Sequence, residues 1–543
     1  MRPWITNHHI CSKLAWYLLI YDFPVTQANR WQALIQPFFR RWVGLAAASE
    51  ASVLYRSHEH FGLNFKHLGD MLQRLQVVKW HIMKYSRDKA CRDLYHYRLS
   101  RDKDRHYGKG RKTSPCLQLE DLEGDAKIQD IIGNAQRGKT GIGYRKARKT
   151  FLDPNKERRH QIGLIMRREA ERKRLVLLEN YQLQNSWLKW GLSDMMAKDL
   201  TWNKILTGYS DKLLKFVLNS NLQTMATPDN LKRWNILKDA PCGLCTKVNV
   251  GLSHILAGCP WVLHVENKLP REDRNTWRHN CVLLELAGAI RRKIVEVNSC
   301  PRAGSGHHIR FVPAGVVPPR STQRKDFGIL DLARDWTCDF HLPELHQSST
   351  YHIPFEVDVS TLMCDGFIMS RSKKIFIILE LTVPMEENIE RWHLEKLKRY
   401  SNLTCPGWQV HLFMLEIGCR GFVPTRFISF LRKVGFTPSE TSKLRDNLQL
   451  VARKCSYIIW INRFNKDFNS TLRVSVDGVL LPDCTNYIVP PSSTVPISDE
   501  AKDRISRNHQ SALLKLRATR NRRSALLKLR ASRNQSCPSQ APE

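Results

Sequence analysis

An apolar run with one carboxylate inside it constrains this fold more than any other stretch. The run from Lys374 to Val383 is rich in Ile, Leu, Phe and Val, and it contains Glu380. Such a composition over this length predicts a buried β-strand. Burial of a lone carboxylate costs several kcal/mol unless another group compensates its charge. Glu380 therefore requires a partner, and a metal ion would meet that requirement.

A second carboxylate precedes another short apolar segment. Asp365 lies in the segment CDGFIM, fifteen residues before Glu380, and this segment also predicts a strand. The residues from Ser370 to Lys373 are polar, as the turn of a hairpin requires. Two adjacent antiparallel strands would bring Asp365 and Glu380 together at one edge of a sheet.

A helix is predicted directly after the second strand. Pro384 opens it, and the acidic residues of its first turn suit the positive end of the helix dipole. One face of this helix, at helical spacing, carries Ile389, His393, Lys396 and Tyr400. This arrangement predicts that Lys396 points at the two carboxylates.

Two carboxylates and a lysine together indicate metal-assisted cleavage of phosphodiesters. Carboxylate oxygens are ligands that Mg²⁺ favours, and the ion activates water and stabilises the leaving oxygen. Lys396 would orient that water or balance the phosphate charge. The alternative is a structural ion pair between strand and helix, because such pairs also perturb buried carboxylates.

Several segments around these residues resemble one known family. The strings CDG, IILELTVPMEENIE and EKLKRYSNL, followed by EIGCRGF and SYIIWINR, resemble the restriction-like endonuclease of site-specific non-LTR retrotransposons, a member of the PD-(D/E)xK superfamily. The resemblance implies that Asp365 and Glu380 are metal ligands. It also implies that Lys396 and Tyr400 form the helix-borne pair of that family's active site.

Two positions depart from that family's pattern. Cys364 stands where the family has a proline before the aspartate, which removes a rigid turn but no ligand. Thr382 stands where the family has the lysine of E-x-K, and the family tolerates this by placing the lysine on the helix. These departures leave two possibilities open, an active endonuclease and a nuclease fold that no longer cuts.

A compact group of cysteines and one histidine is the strongest local motif. It consists of Cys242, Cys245, His254 and Cys259. The Cys-x2-Cys turn offers two thiolates to one ion, and the other two residues complete the tetrahedral set that Zn²⁺ prefers. A saturated set predicts a structural zinc that forms together with the local fold. The alternative is four unrelated residues in a reduced helical segment.

This motif also resembles part of the same family. It is similar to the CCHC zinc knuckle between the polymerase and endonuclease of these retrotransposon proteins, and Trp277-Arg278-His279 resembles their WRH segment. Because the zinc tetrahedron is already complete, His279 is interpreted as a structural residue and not as a ligand.

The charge of the chain is strongly unbalanced. Its 86 Lys and Arg against 51 Asp and Glu give a formal net charge of +35. Between Arg137 and Arg174, fourteen Lys and Arg stand against four acidic residues, and the pattern from Leu164 to Trp190 predicts one long helix. The electrostatic field of so large a positive charge attracts polyanions. Nucleic acid, DNA or RNA, is the predicted partner, and an acidic membrane surface is the alternative.

Hydropathy and cysteine usage bear on the compartment. No uncharged apolar run is long enough for a membrane-spanning helix. The 15 cysteines are mostly scattered singly, which suits a reducing compartment. We therefore expect a nuclear or cytoplasmic protein with no membrane partner.

Composition and resemblance together divide the chain into five regions. Residues 1–95 are predicted to form a thumb-like helical region, and residues 96–195 a basic helical linker. Residues 196–300 are predicted to be helical and to include the zinc knuckle at 242–259. Residues 301–465 are predicted to form an endonuclease of three to five strands, entered through a loop-rich stretch at 300–350. Residues 466–543 are predicted to be a basic, largely disordered tail with a 13-residue repeat.

The predicted fold class follows from this division. It is α+β and multidomain, with a helical N-terminal half, a small zinc knuckle and an α/β restriction-endonuclease-like C-terminal domain.

No polymerase motif accompanies these regions. The aromatic-x-Asp-Asp string of a polymerase palm is absent, and the nearest string, Tyr209 to Lys212, lacks the second aspartate. Residues 133–140 match the Walker A pattern, but Gly141 and Gly143 would break the helix that a nucleotide-binding loop needs. We therefore expect neither reverse transcriptase activity nor ATP or GTP binding.

These observations predict the C-terminal part of a retrotransposon protein that binds nucleic acid and nicks DNA with Mg²⁺. A polymerase-bearing protein would have to act in trans. Two alternatives remain open, a catalytically inactive zinc protein that binds nucleic acid and a retrotransposon remnant that forms no stable protein.

Overall fold

The computed structural model describes the chain in sections separated by gaps. The described residues are 5–58, 61–105, 114–124, 156–187, 205–206, 208–261, 273–299, 328–342, 353–354, 356–357, 362–401, 403, 405–465, 468 and 474. The Walker-like segment at 133–140, much of the basic linker and the C-terminal repeat lie outside the described residues. The described part is mostly helical with one four-stranded sheet, which agrees with the predicted α+β class.

The described sections of the N-terminal half are mainly helical, as the apolar spacing predicts for residues 1–95. Its helices are α1 (Cys11–Ile20), α2 (Val25–Val43), α3 (Ser52–Tyr55), α4 (Leu68–Lys84), α5 (Lys89–Arg105) and α6 (residues 115–124). Pro24 precedes α2, and Gly44 ends it with a φ of 68°, a left-handed conformation that glycine adopts without strain. Helix α4 is central to this half because α1, α2 and α5 all pack against it.

The basic helix α7 spans Lys156–Glu179 and is shorter than the sequence predicts. The pattern predicts helix from residue 164 to 190, but the helix ends at Glu179. There, Asn185 Nδ2 donates to the carbonyl of Glu179 over 2.8 Å, and Gln184 Oε1 accepts from the amide of Glu50 over 2.7 Å. The first contact satisfies a carbonyl of the last helical turn, and the second holds the following segment against the N-terminal helices. The chain therefore forms a turn after Glu179 and the helix does not continue.

Three helices lead from the N-terminal half to the sheet. They are α8 (Asp211–Asn221), α9 (Pro228–Arg233) and α10 (Arg274–Ser299). Ser210 and Thr227 cap the first two through hydrogen bonds from the backbone amides of Leu213 and Asn230. Helix α10 packs against the sheet, which brings its first turns close to the hairpin.

The sheet contains the buried strand that the apolar run from Lys374 to Val383 predicts. Its strands are β1 (Trp336–Phe340), β2 (Gly366–Ser370), β3 (Ile375–Thr382) and β4 (Gln409–Glu416), in the order β1-β2-β3-β4. Strands β1, β2 and β3 are antiparallel, whereas β4 is parallel to β3. A parallel neighbour needs a crossover connection, and a 3₁₀ turn at Glu386–Asn388 followed by helix α11 (Ile389–Arg399) provides it. The prediction that Pro384 opens this helix is wrong, because the acidic residues after it form the 3₁₀ turn and the α-helix starts only at Ile389. Every residue of β3 except Thr382 is buried.

The edge strand β1 differs from the prediction, which assigned residues 300–350 to a loop-rich stretch. Trp336 and Phe340 are buried at its two ends. Asp335 accepts hydrogen bonds from the Ser370 hydroxyl over 2.7 Å and from the Ser372 amide over 2.8 Å, which joins β1 to the turn of the hairpin. The five residues are too few to show a clear period, so the neighbouring prolines and glycines dominate the sequence signal.

Two helices complete the described fold. Helix α12 spans Thr425–Val434 and helix α13 spans Pro438–Ile461, which includes most of the SYIIWINR segment. Thr437 and Glu440 form a capping box at the start of α13. Helix α13 packs on α10, and one apolar core joins these helices to the sheet. None of the described helices is both long and apolar enough to cross a lipid bilayer.

Candidate metal sites

The hairpin register brings Asp365 and Glu380 opposite each other. Gly366 of β2 pairs with Leu379 of β3, so the next pair in the same register is Asp365 with Glu380. Side chains of directly opposed residues leave a sheet on the same side. The chain therefore places two carboxylates side by side at the open end of the hairpin, where the sequence predicts them.

Asp365 is held by a backbone amide and by a histidine. Its Oδ2 accepts a hydrogen bond from the amide of Leu381 over 2.8 Å, and Nε2 of His279 lies 3.3 Å from the same oxygen. Burial raises the pKa of Asp365, but the charge and hydrogen bond of His279, the hydrogen bond with Glu380 and the charge of Lys396 together hold this pKa well below its usual range. Burial lowers the pKa of His279, yet Asp365 raises it to about 9.

Glu380 is almost fully enclosed, with 1% of its side chain exposed. Its Oε1 lies 3.0 Å from Nζ of Lys396, 3.0 Å from Oη of Tyr400 and 3.6 Å from Nη1 of Arg399. Burial and the adjacent charge of Asp365 raise the pKa of Glu380, and Lys396 opposes that rise. The pKa of Asp365 is therefore lowered and the pKa of Glu380 is raised, although the two carboxylates lie in one site.

Helix α11 brings Lys396 and Tyr400 to the carboxylates. Ile389 at its start is buried, and Nδ1 of His393 lies 2.7 Å from Oε1 of Glu416 at the end of β4. Tyr400 follows the last turn and is 3% exposed. Burial and the nearest carboxylate raise the pKa of Tyr400, so its hydroxyl stays protonated. The face predicted from helical spacing is thus the face that contacts the sheet.

His279 is a contact that the sequence interpretation did not include. That interpretation treats it as a structural residue beside the zinc motif. The structure places His279 on α10, next to Asp365 and apart from the four zinc donors. The WRH segment is its sequence signal, but spacing alone does not relate residue 279 to residue 365.

The predicted zinc donors converge on one point. The donor atoms of Cys242, Cys245, His254 and Cys259 all lie within 4.8 Å of one another. Sγ of Cys242 is 3.9 Å from Sγ of Cys259, and Sγ of Cys245 is 3.3 Å from Nε2 of His254. Sulfur atoms about 2.3 Å from one tetrahedral zinc lie about 3.8 Å apart. The group can therefore hold a metal ion such as zinc.

Local backbone geometry builds this zinc group. Cys242 donates its amide to the carbonyl of Lys247 over 2.8 Å, and Thr246 adopts a positive φ of 62° to close the turn. A π-turn at His254–Gly258 supplies the histidine. The hydrogen bond from Cys259 lowers the pKa of Cys242 well below its ordinary value, against the effect of burial. A thiolate is the form that binds zinc.

The two groups of donors differ in chemistry. Thiols with an imidazole suit zinc, whereas the carboxylate pair offers oxygen ligands, which suit a hard cation. Within the described sections, the Cys3His group is the one place where the metal-ligating atoms of at least three His, Cys, Asp or Glu residues converge. No known protein-family model and no curated protein sequence matches this chain, so the assignment of function depends on these geometries.

Proposed function

We propose that the protein is a DNA endonuclease that cleaves one strand in the presence of Mg²⁺ and leaves a 3′ hydroxyl. The observation that carries the proposal is the buried Glu380, which lies beside Asp365 and contacts Lys396 and Tyr400. Adjacent carboxylates repel each other, and a single structural ion pair would avoid that cost. A divalent cation between the carboxylates offsets the repulsion.

The residues at this position fit Mg²⁺. Asp365 keeps 17% of its side chain exposed while Glu380 is enclosed, so the pair opens to solvent on one side. Mg²⁺ is commonly held by one or two carboxylates and keeps several waters, which such a half-open pair allows. The bound ion would activate water and stabilise the leaving oxygen.

The other side chains would orient the ligands and the phosphate. Oη of Tyr400 lies 2.9 Å from the carbonyl of Met363 and 3.0 Å from Glu380, which restrains the Glu380 carboxylate. Lys396 and Arg399 are 21% and 44% exposed, so both are accessible from solvent. In the proposed reaction, Lys396 positions water or offsets the phosphate charge, and Arg399 contacts the DNA backbone.

The proposed partner is nucleic acid, and the proposed origin is a non-LTR retrotransposon. The net charge of +35 supports binding to a polyanion. The basic helix α7 adds an exposed cationic face that carries Arg167, Arg168, Arg172 and Lys173. In that family the nicked 3′ end primes reverse transcription, so the proposal includes a polymerase supplied in trans.

Plasmid nicking tests this proposal. Supercoiled plasmid is incubated with Mg²⁺ and with wild type, Asp365→Asn or Glu380→Gln, and conversion to the open circle is measured. We expect wild type to nick and both variants to lose nearly all cleavage. Glu395→Gln is the matched control, because Glu395 is an exposed carboxylate of α11 paired with Arg391 at 2.8 Å. Equal cleavage by every variant would assign the activity to a contaminant and refute the proposal.

The second candidate function is nucleic-acid binding without cleavage. Two observations favour it: Cys364 replaces the family's proline, and both carboxylates already have protein partners, as in a purely structural ion network. Retarded migration of plasmid DNA without nicking, in Mg²⁺ and in Mn²⁺, would select this function.

A further inference from the structure

Arg278 on α10 joins the zinc group to the strand that carries Glu380. Its side chain is buried, with the residue 1% exposed. Nη1 donates to the carbonyl of Leu256 over 2.9 Å, and Nη2 donates to the carbonyl of Val383 over 3.0 Å. Leu256 lies in the π-turn of the zinc group, and Val383 directly follows β3. One buried guanidinium therefore links the two candidate metal sites.

The next residue, His279, contacts the carboxylate pair itself. Its Nε2 lies 3.3 Å from Oδ2 of Asp365, the oxygen that also accepts from the amide of Leu381. Its Nδ1 lies 3.0 Å from Oδ1 of Asn280, so both ring nitrogens have a partner. Two donors on one oxygen restrict rotation of the Asp365 carboxylate relative to β3.

The first turn of α10 is a firm support for this contact. Asp273 caps it, because its Oδ1 accepts from the amides of Asn275 and Thr276 over 2.6 and 2.8 Å. Trp277 is fully buried one residue before Arg278. His279 lies in the second turn of a helix whose first turn is anchored in this way, so it can hold a neighbouring carboxylate in one orientation.

We propose that His279 is a positioning residue that holds Asp365 opposite Glu380 in the orientation that binds a divalent cation. Arg278 secures the same turn to the zinc group and to the end of β3. The inference rests on the proposed nuclease function, since it concerns the same carboxylate pair. A hydrogen-bond partner behind a metal ligand typically contributes about 10–100-fold to metal affinity.

Mn²⁺ binding to the zinc-loaded full chain tests this role without relying on cleavage. Calorimetry is performed on wild type, His279→Leu and His279→Gln, and the component of binding that disappears in Asp365→Asn identifies the site. We expect His279→Leu to weaken that component about 10–100-fold. His279→Gln should weaken it less, because the amide nitrogen can donate in place of Nε2. The matched control is Val295→Ala, which alters a 65% exposed residue of the same helix and should change nothing.

Unchanged Mn²⁺ affinity in His279→Leu would overturn the proposal. If circular dichroism shows that His279→Leu does not fold, His279→Gln is compared with His279→Asn, whose shorter amide does not reach Asp365. Weaker binding by His279→Asn than by His279→Gln supports positioning, and equal binding refutes it.

Nicking assays on the same proteins separate this inference from the proposed function. If His279→Leu nicks plasmid as fast as wild type and at the same Mg²⁺ concentration, the proposed nuclease function is supported and positioning by His279 is refuted. Site-specific Mn²⁺ binding that weakens in His279→Leu, without any nicking by wild type, would support positioning and refute the nuclease. Absence of Mn²⁺ binding that depends on Asp365 would refute both.

Discussion

At the scale of single residues, environment distinguishes the two carboxylates more than chemistry does. Asp365 receives a strand amide and His279, so its ionised form is favoured. Glu380 lies deeper and beside that negative charge, so its ionised form is disfavoured although Lys396 is near. Glu380 is therefore the charge that is more costly to keep in the sheet.

This cost predicts the effect of Glu380→Gln on stability. A carboxyl group whose folded pKa is raised contributes stability below its unfolded pKa and loses it as pH rises through the folded pKa. In metal-free protein, Glu380→Gln should therefore be more stable than wild type at pH 8, and the difference should shrink towards pH 4. Urea unfolding at both pH values measures this difference. A variant less stable than wild type at pH 8 would contradict the expectation, and Glu395→Gln should show no such trend.

His81 on α4 predicts a second pH effect, in the helical half of the protein. It is 4% exposed, and neither ring nitrogen has a hydrogen-bond partner among the described residues. Burial lowers its pKa to about 4, although Glu123 opposes the shift. Between that value and the ordinary pKa of about 6.5, the unfolded chain binds a proton that the folded chain does not. Stability should fall as pH falls through this window, by up to about 1.4 kcal/mol per pH unit.

Replacement of His81 tests this effect. His81→Leu should flatten the dependence of unfolding free energy on pH between 6.5 and 4, because the titrating group is gone. The control His96→Leu changes an exposed histidine of α5 and should retain the wild-type slope. A wild-type slope in His81→Leu would show that other groups cause the acid sensitivity.

At the scale of elements, α11 makes the site possible because it crosses over the sheet between β3 and β4. The 3₁₀ turn before α11 is held in place by Arg420, a residue that follows β4 and is 1% exposed. Nε of Arg420 lies 2.7 Å from Oε2 of the buried Glu386, and Nη1 donates to the carbonyl of Ser220 at α8 over 3.1 Å. The start of the crossover is thereby tied to the helical half.

Loss of Arg420 should therefore be strongly destabilising. Arg420→Met leaves Glu386 buried without its cation, which costs about 3–5 kcal/mol for a pair of this kind. Arg391→Met removes one partner of an exposed pair on α11 and should cost no more than about 1 kcal/mol. Chemical denaturation of both variants measures the contrast, and equal losses would show that burial of the Arg420 network adds nothing.

The zinc group is the second element whose removal has a defined outcome. Purified protein should contain one zinc per chain, because one Cys3His group is present in the described part. Cys245→Ser should lose that zinc and melt at a lower temperature, since metal binding and local folding are coupled. Cys91→Ser changes a cysteine outside the group and should keep both. Full zinc content in Cys245→Ser would refute the assignment.

Across the whole molecule, the largest apolar core and the excess of positive charge have the widest effects. The largest core spans the sheet and helices from both halves, and it includes Leu379 and Leu381 beside Glu380. The zinc cysteines pack in a small cluster of their own, and Ile255 and Leu256 of the adjoining π-turn belong to the largest core. The formal net charge of the full sequence is +35, and a charge of this size acts on distant polyanions. Association with nucleic acid should accordingly depend on ionic strength more than on any single contact.

Salt titration checks this expectation. The logarithm of the DNA association constant should fall linearly with the logarithm of salt concentration, with a slope of about −0.9 for each phosphate contacted. The double variant Arg167→Ala with Arg168→Ala should reduce the magnitude of the slope by about 2. Arg371→Ala, an exposed arginine already paired with Glu356, is the control. An unchanged slope in the double variant would remove α7 from the DNA-binding surface.

Features set by short-range pattern were predictable from the sequence. The strand β3 and the hairpin before it follow from apolar runs and a polar turn, and they agree with the structure to within one or two residues. The inward face of α11 follows from helical spacing, although the helix begins at Ile389 and not at Pro384. The convergence of the four Cys3His donors was predictable because they lie close along the chain, and the group they form can hold a metal such as zinc. The roles of Asp365, Glu380, Lys396 and Tyr400 remain predictions until cleavage is measured.

Periodicity and spacing act over a few residues, so they were enough to predict most of the local elements around the carboxylate pair. Three other features depend on how distant elements pack: His279 contacts Asp365, Trp336–Phe340 completes the sheet, and Arg278 donates to the carbonyl of Val383, 105 residues away. The spacing of residues along the sequence does not indicate these contacts, because they depend on how separate elements pack together. The physical reason is that burial favours whichever arrangement satisfies every charged and polar group at once, and that condition belongs to the whole fold.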